Sequence, residues 1–68
     1  MACLGKRLRE LRQYKRLTMK QLGDIMKVSE MAISQWETDK REPNIQMIVA
    51  LAKYFDVTVG QLVGTEEL

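Results

Sequence analysis

LTMKQLGDIMKVSEMAISQWE (residues 17–37) is the stretch that decides the fold. Thr18 followed by Gln21 has the form of a capping box: the hydroxyl accepts from the third amide of a helix, and the glutamine side chain reaches back to the N–H of the capping residue. A helix therefore starts at this point, with Leu22 and Met26 on its apolar face. Ser29 is a good N-cap for the next helix, which runs from Glu30 to Glu37 with Ile33 and Trp36 turned inward. Only two or three residues separate the two helices.

The rest of the chain fits around this pair. Leu4, Leu8 and Leu11 recur at helical spacing and fix a first helix from about Ala2 to Tyr14. TDKREP, residues 38–43, is a polar loop. Asn44 caps a fourth helix carrying Ile45, Ile48, Leu51, Ala52 and Phe55, and Thr58 with Gln61 repeats the capping-box spacing and opens a short fifth helix with Leu62 and Val63. Period-two alternation is confined to residues 57–59, too short for a strand. There is no internal repeat, low-complexity tract or linker. The expected fold is all-α, a compact bundle of about five short helices in a single domain over residues 1–68. Two short helices joined by a tight turn, the second with small polar residues outward, make a helix-turn-helix.

Composition narrows the function classes. A chain of 68 residues is one domain at most, and at that size it buries only about 60% of its unfolded surface. A hydrophobic content of 46% with four glycines and one proline argues for a packed core rather than disorder. Cys3 is the one cysteine and there is no histidine, so an internal disulfide is impossible and nothing activates Cys3 as a nucleophile; it reads as a spectator. No Gly-rich phosphate loop or acid–base constellation is visible, so the chain is not expected to be an enzyme or to use a cofactor or metal. With no signal peptide and no apolar run near 18 residues, the expectation is a soluble cytoplasmic protein with no membrane partner.

Net charge is +2. Residues 1–20 hold seven basic residues against Glu10, a balance of +6, while the remainder holds four basic and eight acidic residues, a balance of −4. Such asymmetry is either a polyanion footprint or a solvated helix face.

Over nearly its whole length, from LGKRLRELRQYKRLTMKQLG through VSEMAISQWETDKREPNIQMIVALAKYFDVTVGQLVG, the chain resembles the phage-repressor/Cro-like (Xre family) helix-turn-helix domains. Leu22, Met26, Val28, Ile33 and Trp36 fall where that family places its apolar signature, and the trailing P-N-I, L-A-K, V-T-V and L also fit. The resemblance implies a lambda-repressor-like fold and a transcriptional repressor or regulator that binds double-stranded DNA in a sequence-specific way. The third helix would enter the major groove with Ser29, Glu30, Met31, Ser34 and Gln35 outward. Gln35 can pair bidentately with adenine, Ser34 can bond to several base edges, and Met31 offers an apolar surface to a thymine methyl. Met19, Lys20, Thr38, Lys40 and Arg41 match positions that grip the sugar-phosphate backbone, Met19 through its amide alone. Lys6, Arg7 and Arg9 are either further grips or the solvated face of the first helix. Arg12 and Glu37 match a structural ion pair. A homodimer on a two-fold symmetric operator is implied, with Val57, Val59 and Gln61 as possible contacts.

Two departures from the family pattern, and the acidic Glu30, carry consequences. Arg16, Lys27 and Asp56 stand where the family has glycine at helix C-termini; either the backbone is still left-handed there, at about 1 kcal/mol each, or the turns differ. Glu30 in a first helical turn either interacts favourably with the helix dipole or takes part in readout. Ile25, Ala50 and Tyr54 are extra core or an exposed patch, with core preferred. As a patch they would suit the alternative function, a protein-interaction module of antitoxin-like or adaptor type on the same fold.

Overall fold

The computed structural model describes residues 3–68. Five helices follow one another: α1 (Leu4–Tyr14), α2 (Met19–Met26), α3 (Glu30–Glu37), α4 (Ile45–Phe55) and α5 (Val59–Val63). No strand occurs among the described residues. Ala2, the expected start of the first helix, lies outside the described residues; α1 begins at Leu4, and no side chain caps it.

Four of the five starts are set by local chemistry. The Thr18 and Thr58 hydroxyls accept from the Gln21 and Gln61 amides at 3.0 and 2.9 Å, and each glutamine Oε1 accepts in return from its threonine N–H, at 2.8 and 2.9 Å. Ser29 Oγ and Asn44 Oδ1 accept from the Ala32 and Met47 amides at 3.0 and 2.8 Å. These bonds satisfy donors that a helix N-terminus otherwise leaves open.

The helix ends share another device. After α1, α2, α3 and α4 the chain passes through a left-handed residue, Arg16 (φ 57°), Lys27 (φ 61°), Asp39 (φ 59°) and Asp56 (φ 58°). In each case the next N–H reaches back five residues: Leu17 to Arg12 O, Val28 to Gly23 O, Lys40 to Gln35 O and Val57 to Ala52 O, at 2.8–3.1 Å. This is the Schellman closure, built on residues that carry a Cβ. The expected turns are thus kept and strained. Leu17, Val28 and Val57, which follow the left-handed residue, pack against the core; after α3 that place is taken by Lys40, which is exposed.

Leu4 and Leu8 of α1, Leu22 of α2, Ile33 and Trp36 of α3, Ile48, Leu51, Ala52 and Phe55 of α4, and Leu62 of α5 form one buried core. Two glycines let backbones meet. A Cβ on Gly5 would sit 2.5 Å from Glu37 O and 2.8 Å from Trp36 O, so α1 lies directly on the end of α3. A Cβ on Gly23 would sit 2.8 Å from Val28 O, which sets how closely the turn folds onto α2.

Two apolar expectations are corrected. Ile45, read as part of the fourth helix's apolar face, is 74% exposed; it is the first residue of α4, between the exposed Asn44 and Gln46, and only the later turns reach the core. Ile25, preferred as extra core, is 42% exposed. At roughly 100° per residue it points well away from the direction shared by Met19, Leu22 and Met26. Tyr54 does pack on the core, edge to face with Phe55 at 5.0 Å and beneath Lys15 Nζ at 5.2 Å; Ala50 is half-buried. No described helix is long and apolar enough to cross a membrane.

Candidate nucleic-acid interface

Helical rotation divides α3 in two. Ala32, Ile33, Trp36 and Glu37 turn toward the other helices, and the last three are buried. Glu30, Met31, Ser34 and Gln35 share the opposite side. Glu30 and Met31 are exposed, Met31 by 68%, and Ser34 and Gln35 are half-buried. Ser29 is exposed, and although its oxygen caps α3, its proton remains free to donate. The five expected base-reading residues thus form one surface, carrying a single charge at Glu30.

Cations flank this surface. Lys40 and Arg41 are exposed and their N–H groups both donate to Gln35 O, at 2.9 and 3.3 Å, so the loop is tied to the end of α3. The left-handed Asp39 makes that closure possible. Sequence reading missed Asp39, because aspartate is a common loop residue and its left-handed backbone leaves no other mark. Thr38 is exposed, but its hydroxyl donates to Ser34 O at 2.8 Å, capping its own helix. On α2, Lys20 Nζ lies 3.5 Å from Asp24 in an exposed pair. Met19 packs against the core and is the first residue of α2, an end where helix amides favour an anion.

The arginines of α1 make contacts within the fold, Arg7 and Arg12 half-buried and Arg9 exposed. Arg12 Nε donates to Glu37 Oε2 at 2.6 Å and its Nη2 to Oε1 at 3.1 Å, a bidentate pair, while Nη1 donates to Leu17 O at 2.8 Å. The Glu37 side chain is 0% exposed and that of Arg12 is 11%. Arg9 adds a longer contact, 3.5 Å to Glu37 Oε1. Arg7 donates to Gln61 O and, at 3.0 Å, to Glu66 O. Arg7 and Arg9 are therefore tied within the fold, which the sequence left open. Neither carbonyl partners nor a second guanidinium on one carboxylate leaves a spacing signature. Val59 is exposed and Val57 and Gln61 are half-buried; they lie at the start of α5, away from α3 in sequence.

Five short helices, the second and third packed across a three-residue turn with a polar outward surface on the third, define a lambda-repressor-like helix-turn-helix domain. The chain belongs to the Cro/C1-type helix-turn-helix family, whose model matches residues 8–62. It is 41% identical over 64 residues to the HTH-type transcriptional activator BcrR of Enterococcus faecalis, covering 94% of this chain and 31% of that protein. It is 40% identical over 50 residues to repressor protein C2 of Salmonella phage P22, covering 74% of this chain and 23% of that one. Among solved structures it is similar to the P22 c2 repressor in complex with a synthetic operator, with a TM-score of 0.81 and 36% identity over 87% of this chain and 89% of that chain. The chain spans 23–53% of the length of five curated relatives that it matches.

Proposed function

We propose that this chain is a single DNA-binding domain that recognises a specific double-stranded sequence and acts in the cytoplasm as a transcriptional repressor or regulator. One observation carries the reading: a nearly uncharged surface on α3 is bounded by exposed cations whose backbone amides are bonded to the same helix. DNA recognition calls for that division, since phosphates supply affinity and register while base edges supply specificity. Ser29, Glu30, Met31, Ser34 and Gln35 are assigned to base edges, and Lys20, Lys40, Arg41, Thr38 and the Met19 amide to the backbone. Arg12 and Glu37 hold α3 on α1. Two copies on a two-fold symmetric operator would place their α3 helices about 34–36 Å apart, one helical turn of DNA.

Selection of bound sequences from random duplexes tests this. A two-fold motif with A·T preference opposite Gln35 and Met31 is the expected result. Absence of any motif refutes the base assignments, and binding that scarcely responds to salt favours a protein-interaction module instead.

A further inference from the structure

The four left-handed helix ends are not anchored alike. Leu17, Val28 and Val57 follow three of them and pack on the core, but residues 38–42, which follow α3, are all exposed. In that loop the left-handed residue itself makes the contact. Asp39 Oδ1 lies 2.8 Å from the point that a Cβ on Gly5 would occupy, and Glu37 O and Trp36 O lie 2.5 and 2.8 Å from the same point. Three oxygens from the end of α3 and its turn thus converge on the second residue of α1, at an end that has no side-chain cap and no acidic residue in its first turn.

A carboxylate at the C-terminal end of a helix opposes the dipole of that helix, whereas beside the N-terminal amides of another it is favoured. Asp39 therefore belongs to the α3 loop by backbone and to α1 by charge. Glycine would adopt its φ of 59° at no cost, so the turn alone does not call for a carboxylate; the contact on α1 does. Lys40 and Arg41 come next in the chain. We propose that Asp39 is a positioning residue for DNA binding: its carboxylate docks the loop after α3 on the start of α1 and so fixes the direction in which Lys40 and Arg41 project. The proposal rests on the reading of Lys40 and Arg41 as contacts to the DNA backbone. It runs against simple electrostatics, because a negative charge beside two phosphate grips lowers their attraction to DNA.

That opposition makes the test sharp. Binding to a mixed-sequence duplex of about 20 base pairs, long enough for two half-sites, is compared for the parent, Asp39→Gly and Asp39→Asn. Asp39→Gly keeps the turn and deletes the carboxylate; Asp39→Asn keeps its outline and deletes the charge. Charge alone predicts that both variants bind more tightly. Positioning predicts that both bind about fivefold more weakly, with faster amide exchange at Lys40 and Arg41. Melting temperatures should stay within about 4 °C of the parent, since in Asp39→Gly the relieved backbone offsets the lost contact. Adding Lys40→Gln to either variant should lower the slope of log K against log salt by less than the ~0.9 it removes from the parent. Tighter or unchanged binding in both variants, while Lys40→Gln still lowers the parent's slope, overturns the positioning role and leaves the phosphate contacts standing. Weaker binding matched by a large fall in melting temperature shows that Asp39 serves the fold alone, and overturns the role as well. If Lys40→Gln and Arg41→Gln leave the parent's slope unchanged, the phosphate reading fails and the proposal with it.

Discussion

Removing Arg12 should be the most damaging single change outside the apolar core. Glu37 is fully shielded from water, and Arg12 supplies its two shorter bonds, at 2.6 and 3.1 Å; Arg9 remains at 3.5 Å. Arg12→Ala therefore leaves a buried carboxylate with one long, half-exposed partner and also frees Leu17 O. Stripping one member from a buried ion pair costs about 3–5 kcal/mol. A chain of this length has a total stability of about 3–10 kcal/mol, so the variant should lose at least about 12 °C in Tm and at the upper end lose its cooperative transition altogether. Lys40→Ala, an exposed site, should stay within about 0.5 kcal/mol of the parent. Thermal unfolding followed by circular dichroism compares the two, and the double variant Arg12→Met with Glu37→Met separates charge from packing. If the buried charge is the cause, the double variant recovers most of what Arg12→Ala loses. Arg12→Ala within 1 kcal/mol of Lys40→Ala, or a double variant no better than the single, would refute the reasoning.

The strained helix ends give the opposite sign. Lys27→Gly and Asp56→Gly should each stabilise by about 1 kcal/mol, a rise of roughly 4–8 °C, because glycine adopts the left-handed region without a Cβ penalty; lower melting temperatures in both would show that the turns are not strained. Lys40→Gln and Arg41→Gln should each lower the slope of log K against log salt by about 0.9 and weaken binding to all duplexes alike, whereas a loss confined to one sequence would place them at base edges. Glu30→Gln should relax sequence preference if the carboxylate takes part in readout. An unchanged preference with stability lower by about 0.3–1 kcal/mol would confine it to the helix dipole.

The elements were legible because their starts are written locally. Thr18, Ser29, Asn44 and Thr58 each announce a helix, and the apolar residues that follow fix its buried side. The ends were less legible, since Arg16, Lys27 and Asp56 could be placed only by the family's glycines, and Asp39 not at all. A subtler mark was present: an aliphatic residue, Leu17, Val28 or Val57, follows each of those three left-handed residues and packs on the core. Ile25 and Ile45 were misread because periodicity gives the direction of a side chain relative to its own helix, not whether another helix covers it. On helices of 8 and 11 residues, the edge of the stripe and the first turn are often bare.

The basic first third of the chain shows why charge alone did not locate the interface. Of its seven cations, Arg12 and Arg9 meet Glu37, Arg7 holds backbone carbonyls at the far end of the chain, and Lys15 lies over Tyr54. More than half of the apparent footprint is thus engaged with other groups of the same chain. At the end of α3 the chain carries fewer cations but places them better. Three Schellman closures direct an aliphatic residue into the core, and the fourth, at Asp39, directs Lys40 outward, with both Lys40 and Arg41 tied through their amides to Gln35 O. Gln35 belongs to the proposed reading surface, so the backbone that carries Lys40 and Arg41 is bonded to the helix that carries that surface. If Lys40 or Arg41 holds a phosphate as proposed, that contact sets the depth and register at which Met31, Ser34 and Gln35 meet the bases, and a weakly charged helix surface gains both affinity and discrimination.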